Sequence, residues 1–313
     1  MSTVTKAVKR VLNAMIRVVL RVCPLERILD LENHVHLAYR LVLHRSADPG
    51  GVQHYKQHIS GQQLPKAFVF EALTSSPEYK KAQNPLSYVR TQLVRRLPHA
   101  DVIVDFGGAT KHMVEGALYA MGYAQKWKKL IVVDLPNESR DDQWKGSGPD
   151  AGVIETPNGP VQHIAGSMTD SRVFEAGAFA DMVWSGNAIE HITEDDADRF
   201  LQNVYDILKP DGLFCLDTPN RNVTRIQLPE QYTNPDHKIE YTHAQLSAKL
   251  KKHGFRIEQE LGVLDCARFV ERQAFLPAEL PACPDFASNI ENGYFLFYQC
   301  RKGASCRGHD DAG

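Results

Sequence analysis

Between Asp101 and Asn220 the chain repeats one device, a short apolar run that stops at small or polar residues. The stretches read DVIVDFGGAT, KKLIVVDLP, VQHIAGSMTD, FADMVWSGNAIEHI and LKPDGLFCLDTPN. Their centres are Val102 to Phe106, Leu130 to Val133, Val161 to Ile164, Met182 to Trp184 and Leu213 to Leu216. A strand with one wet face alternates apolar and polar residues; near-continuous apolar runs suit strands covered on both faces of a parallel sheet. Helix-length segments separate the runs, so the order is βαβαβ and the class is α/β. Open sheets of this kind bind ligands beyond the carboxyl ends of their strands. The glycines and acids of this stretch gather at those ends, and that is where a site is expected.

Composition narrows the setting. The chain has 313 residues, 43% hydrophobic and 24% charged, enough for one large domain or two modest ones. A formal net charge of −2 gives no overall electrostatic footprint for nucleic acid. Cys23, Cys215, Cys266, Cys283, Cys300 and Cys306 are scattered with no C-x-x-C pair, which predicts reduced thiols and neither a disulfide framework nor a zinc site. No apolar run has the length of a membrane span. A cytoplasmic protein is expected.

Residues 1–25 form a segment apart. Val4, Val8, Val11, Leu12, Met15, Val18, Val19 and Val22 share one helical face, and Lys6, Lys9, Arg10, Asn13, Arg17 and Arg21 the other. A helix of this kind, with no acid before Glu26, suits the inner face of a cell membrane as a peripheral anchor. It equally suits docking on protein, and an organelle transit peptide shares the composition. Residues 26–85 read as a small all-α domain. Leu31, Val35, Ala38, Tyr39 and Val42 make one helical face, Ala47-Asp48-Pro49-Gly50-Gly51 a turn, and further helices are expected over Val52 to Ser60, from Pro65 to about Leu73, and at the start signal Ser75-Ser76-Pro77-Glu78-Tyr79. The pattern AYRLVLHRSADPGGVQHYKQHISG…FVFEALTSSPEY resembles a small bacterial helical domain of uncharacterised function. His34, His36, His44, His54 and His58 lie here without an accompanying carboxylate pattern, so solvated or capping roles are expected and no metal. Residues 86–302 form the sheet domain, and 303–313 a disordered tail.

Within the sheet domain, Asp105-Phe106-Gly107-Gly108-Ala109-Thr110 leaves the first strand. Gly107 suits a tight turn, and Gly108 or Ala109 a close approach of backbone to ligand. The G-x-G-x-x-G of a dinucleotide site and the lysine pattern of a phosphate loop are both absent, so a nicotinamide enzyme is disfavoured.

At this point the chain resembles the Rossmann-like S-adenosylmethionine-dependent methyltransferases, from about Val102 to Arg301, most specifically over DMVWSGNAIEHI and LKPDGLFCLDTPN. The resemblance implies a seven-stranded methyltransferase sheet and S-adenosyl-L-methionine as cofactor. It implies that Asp105, Gly107 and Gly108 hold the methionine end, Asp134 the ribose hydroxyls, and Ser167 and Met168 the adenine. Ser185 and Asn187 would face the sulfonium and the acceptor. A carboxylate at Asp134 accepts two hydroxyls more strongly than a neutral group; its other reading is a cap before Pro136. Two departures stand out: Ala109 and Lys111 replace glycines frequent in the family, and Asp134 lies farther from Asp105 than the roughly 20 residues of the related dinucleotide fold. A long first helix through HMVEGALYAMGYAQKW would absorb the excess.

The segment HKIEYTHAQLSAKLKKHGF resembles one found in members that methylate sugars of bacterial polysaccharides. The implied partner is a glycan or other small hydroxyl-bearing acceptor, with no nucleic acid and an oligomeric state left open. Glu190 and His191 after the fourth strand, with His237 farther on, are candidate catalytic groups, because a hydroxyl nucleophile is helped by a base. The competing reading of Glu190-His191 is an anchor for the next helix, which Thr193 and Asp196 would cap. His237, Glu240 and Tyr241 are placed in a substrate lid. An inactive methyltransferase-fold adaptor in a glycan-assembly complex is the alternative function.

Overall fold

The computed structural model describes residues 29–43, 46–110, 114–140, 145–146, 151–174 and 177–303. The amphipathic segment 4–22, His44, Lys111 and the tail after Gly303 lie outside these residues. Two compact units divide between Pro85 and Leu86.

The first unit contains α1 (Leu31–Leu43), α2 (Pro49–Gln62), α3 (Phe68–Ser75) and α4 (Pro77–Gln83). Val35, Ala38, Tyr39 and Val42 of α1 pack with Val52, Tyr55 and Ile59 of α2 and with Val69, Phe70 and Leu73 of α3. Asp48 caps α2 by accepting the Gly51 amide hydrogen, at 2.8 Å, with Pro49 in the first turn. Ser76 caps α4 in the same way, accepting from Tyr79. The third helix begins at Phe68 and not at Pro65, whose carbonyl instead accepts the Phe68 N–H in a preceding turn.

From its second residue, Leu86, α5 (Pro85–Val94) belongs to the second unit, whose described residues include nine strands: β1 (Val102–Phe106), β2 (Lys129–Asp134), β3 (Gly152–Thr156), β4 (Gly159–Ala165), β5 (Ala180–Gly186), β6 (Leu208–Pro219), β7 (Phe255–Asp265), β8 (Phe286–Ala287) and β9 (Gly293–Lys302). Their order is β3-β4-β2-β1-β5-β6-β9-β7-β8. The five apolar runs are β1, β2, β4, β5 and β6, and their pairings with one another are all parallel. The expected count of seven strands is corrected to nine. The additions are β3, an antiparallel partner of β4, and β8, two residues paired with β7. Neither has an apolar run: β3 buries no residue fully and leaves Val153 62% exposed.

Successive side chains of a strand point to opposite faces, and the burial here divides accordingly. Ile103, Leu130, Val132, Met182, Trp184, Leu213 and Cys215 pack with Val89, Leu93 and Val94 of α5 on one face. Val104, Phe106, Ile131, Val133, Val183, Phe214 and Leu216 pack on the other with Phe200, Leu201 and Val204 of α7 (Glu194–Ile207). Thr193 caps α7, accepting from the Asp196 amide and donating to its carboxylate at 2.8 Å. The long helix expected after β1 is, among the described residues, a single turn, α6 (Ala117–Ala120). Gly116 (φ +90) and Gly122 (φ +94) bracket it in a backbone region that favours glycine and interrupts a helix. The unit also contains α8 (Arg221–Gln227), α9 (His243–Lys252) and α10 (Ala267–Arg272). No helix among the described residues is long and apolar enough to cross a membrane.

Candidate active site

From β1 the chain proceeds outward through β2 to β4 on one side, then returns to build β5 and β6 on the other. The loops after β1 and β5 therefore part at the sheet's switch point, the place where open sheets form a crevice. Gly107 turns out of β1 with φ +72, and its amide donates to the Val133 carbonyl at 2.8 Å. A Cβ at Gly107 would lie 2.7 Å from the Cβ of Ala188 in the loop after β5. A Cβ at Gly108 would lie 2.4 Å from the carboxyl carbon of Asp105. The glycine pair is thus required by two neighbours, one beside the loop and one beneath it.

Asp105 is 1% exposed. One of its oxygens accepts the Leu118 amide hydrogen at 3.0 Å, which fixes the start of α6, and the other has no hydrogen-bond partner among the described residues. Burial, with the Asp134 charge adding to it, outweighs that hydrogen bond and the Arg90 charge and pushes the carboxyl up to about 7. The folded value lies above the unfolded one of 3.8. The stability that Asp105 contributes is therefore fully present at acid pH and is lost as pH rises through about 7. Asp105→Asn does not titrate. Its melting temperature relative to wild type is expected to climb from about pH 4 to about pH 7 and level off above that, measured by calorimetry; a constant difference would show that Asp105 does not take up a proton in the fold.

Asp134 ends β2 and links the loops. Its carboxylate accepts from the Ala109 amide at 3.0 Å and the Leu135 amide at 2.7 Å, with Arg140 Nε 3.6 Å away. Its side chain keeps 21% exposure. The Asp134 carbonyl accepts from Gly166, which brings the loop after β4 alongside. There Ser167 shares a hydrogen bond with Thr169 at 2.8 Å, and the Met168 carbonyl accepts from Asn203 of α7 at 2.9 Å. Ser185 is 1% exposed and its hydroxyl has no partner among the described residues; the amide oxygen of Asn187, whose φ is +54, is likewise buried without one there.

The three acid–base candidates come together. Glu190 is fully buried just beyond β5. Its Oε2 accepts from Thr218 at 2.9 Å, and its Oε1 has no hydrogen-bond partner among the described residues. Burial pushes its carboxyl up to about 7, against hydrogen bonds and the nearby His237. His237 reaches it from a distant part of the chain because Lys238 and Ile239 donate their amides to the Glu190 carbonyl, at 2.8 and 3.3 Å. The His237 Nδ1 lies 2.8 Å from Glu240, its Nε2 4.0 Å from Glu190 Oε1, and its ring 4.8 Å from that of His191, edge to face. Burial pushes the Glu240 carboxyl up, but hydrogen bonds from His237, Thr224 and Thr233 prevail and bring it down to about 2. Tyr241 is no lid residue: it is 1% exposed and donates to Glu194 at 2.8 Å.

Arg90 and Asp217 escaped the sequence reading. Arg90 of α5 donates twice to Asp217 of β6, at 2.7 and 2.8 Å, with Asp217 wholly buried. The Asp217 carbonyl accepts the Asn187 amide at 2.9 Å, so the pair fixes the loop after β5. The only available signal was one arginine on an otherwise amphipathic helix.

A family model described as a methyltransferase domain matches residues 80–260, and one described as a domain of unknown function (DUF4214) matches residues 28–83. The chain belongs to the methyltransferase-domain family, whose methyl donor is S-adenosylmethionine. A relative from Mycolicibacterium smegmatis, described as a probable S-adenosylmethionine-dependent methyltransferase, is 34% identical over 97 residues, 31% of this chain and 37% of the relative. The chain thus spans little more than a third of the curated relative it matches. Among solved structures, a Thermotoga maritima S-adenosylmethionine-dependent methyltransferase is 16% identical over 72% of this chain and 95% of its own, with a TM-score of 0.47. The Burkholderia thailandensis 1,6-didemethyltoxoflavin-N1-methyltransferase, bound to its substrate and S-adenosylhomocysteine, is 15% identical over 83% and 92%, with a TM-score of 0.40.

Proposed function

We propose that this chain is an S-adenosylmethionine-dependent O-methyltransferase acting on a sugar hydroxyl of a bacterial surface glycan or its lipid-linked precursor. When bound, the cofactor supplies an electrophilic methyl group on a sulfonium. The residues present suit it. The unpartnered Ser185 hydroxyl and Asn187 amide oxygen offer hydrogen bonds at the end of β5, and the Gly107-Gly108 loop presents backbone close by. Asp134, still partly exposed, would accept the ribose hydroxyls, with Ser167 and Met168 toward the adenine and Asp105 setting the loop from below.

The observation that carries the O-methyl reading is the Glu190, His191 and His237 group beside that strand end. A hydroxyl must lose its proton during methylation, and groups titrating near neutrality take it best. The choice of a sugar rests on the resemblance of the segment running from His237 to Phe255. Calorimetric titration with S-adenosylmethionine and S-adenosylhomocysteine tests the cofactor site. Asp134→Ala is expected to weaken binding at least ~10-fold, about 1.4 kcal/mol. Folded wild-type protein that binds neither compound would overturn the reading, and failure to methylate any hydroxyl acceptor despite binding would overturn the acceptor class.

A further inference from the structure

We propose that Glu190, His191 and His237 hold a divalent transition-metal ion, and that the acceptor hydroxyl docks on it. The three side chains offer one ligand atom each, all within 4.8 Å of one another. One ion with bonds of about 2.1 Å keeps such donors about 3.0–3.4 Å apart, so the three side chains draw together by roughly 1–2 Å when an ion binds.

Three features of the surroundings are those of a ligand set. First, Glu190 is wholly buried, yet only Oε2 is engaged, by Thr218; Oε1 faces His237 Nε2 at 4.0 Å with no hydrogen bond made. A buried carboxylate oxygen without a donor is costly, and a cation removes the cost. Second, His237 has its Nδ1 held by the Glu240 carboxylate at 2.8 Å, leaving Nε2 turned toward Glu190. Carboxylate-held imidazoles of this kind are how metal-binding histidines are oriented. Glu240 is itself fixed by Thr224 and by the Thr233 amide and hydroxyl at 2.8 and 2.7 Å, so the orienting group is rigid. Third, the two parts of the set are joined through backbone, since the amides of Lys238 and Ile239 bond the Glu190 carbonyl.

Two imidazoles and one carboxylate select the manganese-to-zinc series over magnesium or calcium, which prefer oxygen alone. Three protein ligands leave positions for substrate. A hydroxyl on such an ion loses its proton more readily: the O–H bond breaks, the electron pair stays on oxygen and the proton leaves to solvent. The role in methylation rests on the methyltransferase reading; the binding of the ion does not. In sequence the three stand out as acid–base candidates and not as ligands, because the adjacent Glu190-His191 has no third ligand at metal-site spacing nearby in the chain.

The test uses untagged full-length protein, freed of metal by chelation and titrated calorimetrically with manganese and cobalt chlorides, with magnesium chloride for comparison. Cobalt absorption bands give a second readout. One saturable manganese or cobalt site is expected, weakened at least ~100-fold in Glu190→Gln and in His237→Gln, and about 10–100-fold in Glu240→Gln. S-adenosylhomocysteine affinity should stay within about threefold in these variants, which also shows that they fold; should Glu190→Gln fail to fold, His191→Asn takes its place. The rings of His54 and His58 lie 4.9 Å apart and offer metal a second place, so a site that survives unchanged in the Glu190 and His237 variants overturns the proposal. Protein that binds S-adenosylhomocysteine but no manganese or cobalt also overturns it, and leaves the methyltransferase reading standing. Metal bound through Glu190 and His237 without any S-adenosylhomocysteine binding upholds the site and removes the methyltransferase reading instead.

Discussion

Arg90→Ala is expected to destabilise the sheet domain by about 3–5 kcal/mol, the usual cost of stranding one member of a buried ion pair. Asp217 has no exposure, and both its oxygens are occupied by the Arg90 guanidinium. Truncation leaves that charge in the protein interior with water excluded. The guanidinium also lies over the Phe295 ring, 5.4 Å from its centre, so packing is lost as well. For a domain of this size the loss corresponds to a fall in melting temperature of roughly 6–20 °C. Arg90→Met with Asp217→Leu removes both charges and should recover most of the stability, because two matched apolar groups leave nothing unpaired. Denaturant unfolding of the single and double variants checks this. A single variant within 1 kcal/mol of wild type would show that solvent reaches Asp217 once Arg90 is gone.

How far the sequence discloses this molecule depends on the kind of signal each part carries. The five central strands were legible because burial on both faces writes itself as an uninterrupted apolar run: Val102 to Phe106 and Leu130 to Val133 are strands in the structure almost residue for residue. The edge strand from Gly152 to Thr156 was not, since it buries nothing fully and its pairing is carried by backbone. The helix read into HMVEGALYAMGYAQKW failed because the apolar spacing said helix while Gly116 and Gly122 adopt positive φ and confine it to one turn. Strand-end position, together with the family resemblance, brought Asp105, Gly107, Asp134, Ser185 and Glu190 to attention. It could not reveal that Asp105 lies beneath the loop, or that Asp134 is already engaged by two backbone amides. Contacts between distant parts of the chain, such as Arg90 with Asp217 and His237 with Glu190, have no periodic signature. They follow only from the order in which the strands assemble.

Substituting the glycines after β1 is expected to abolish cofactor binding while leaving most of the sheet intact. At Gly107 a side chain meets two obstacles. The φ of +72 costs a β-branched residue on the order of 1–2 kcal/mol, and its Cβ would lie 2.7 Å from that of Ala188. Ala188 cannot retreat readily, because its carbonyl accepts from His191 and the next residue, Ile189, is wholly buried. Relief therefore comes from displacement of the loop itself, away from the Val133 carbonyl that holds it. At Gly108 the obstacle is the Asp105 carboxyl, 2.4 Å from the added carbon, tied to the Leu118 amide and buried against movement. Gly107→Val and Gly108→Val should each weaken S-adenosylhomocysteine binding at least ~100-fold, about 2.7 kcal/mol, measured by calorimetry on protein whose circular dichroism matches wild type. The Ala188→Gly background separates the two causes for Gly107→Val. It removes the steric partner and leaves the dihedral strain, so binding that recovers there by an order of magnitude would assign the loss to contact between the two loops at the switch point. If the valine variants bind as wild type does, the loop after β1 does not touch the cofactor, and the binding surface must be sought around Asp134 and Ser167 alone.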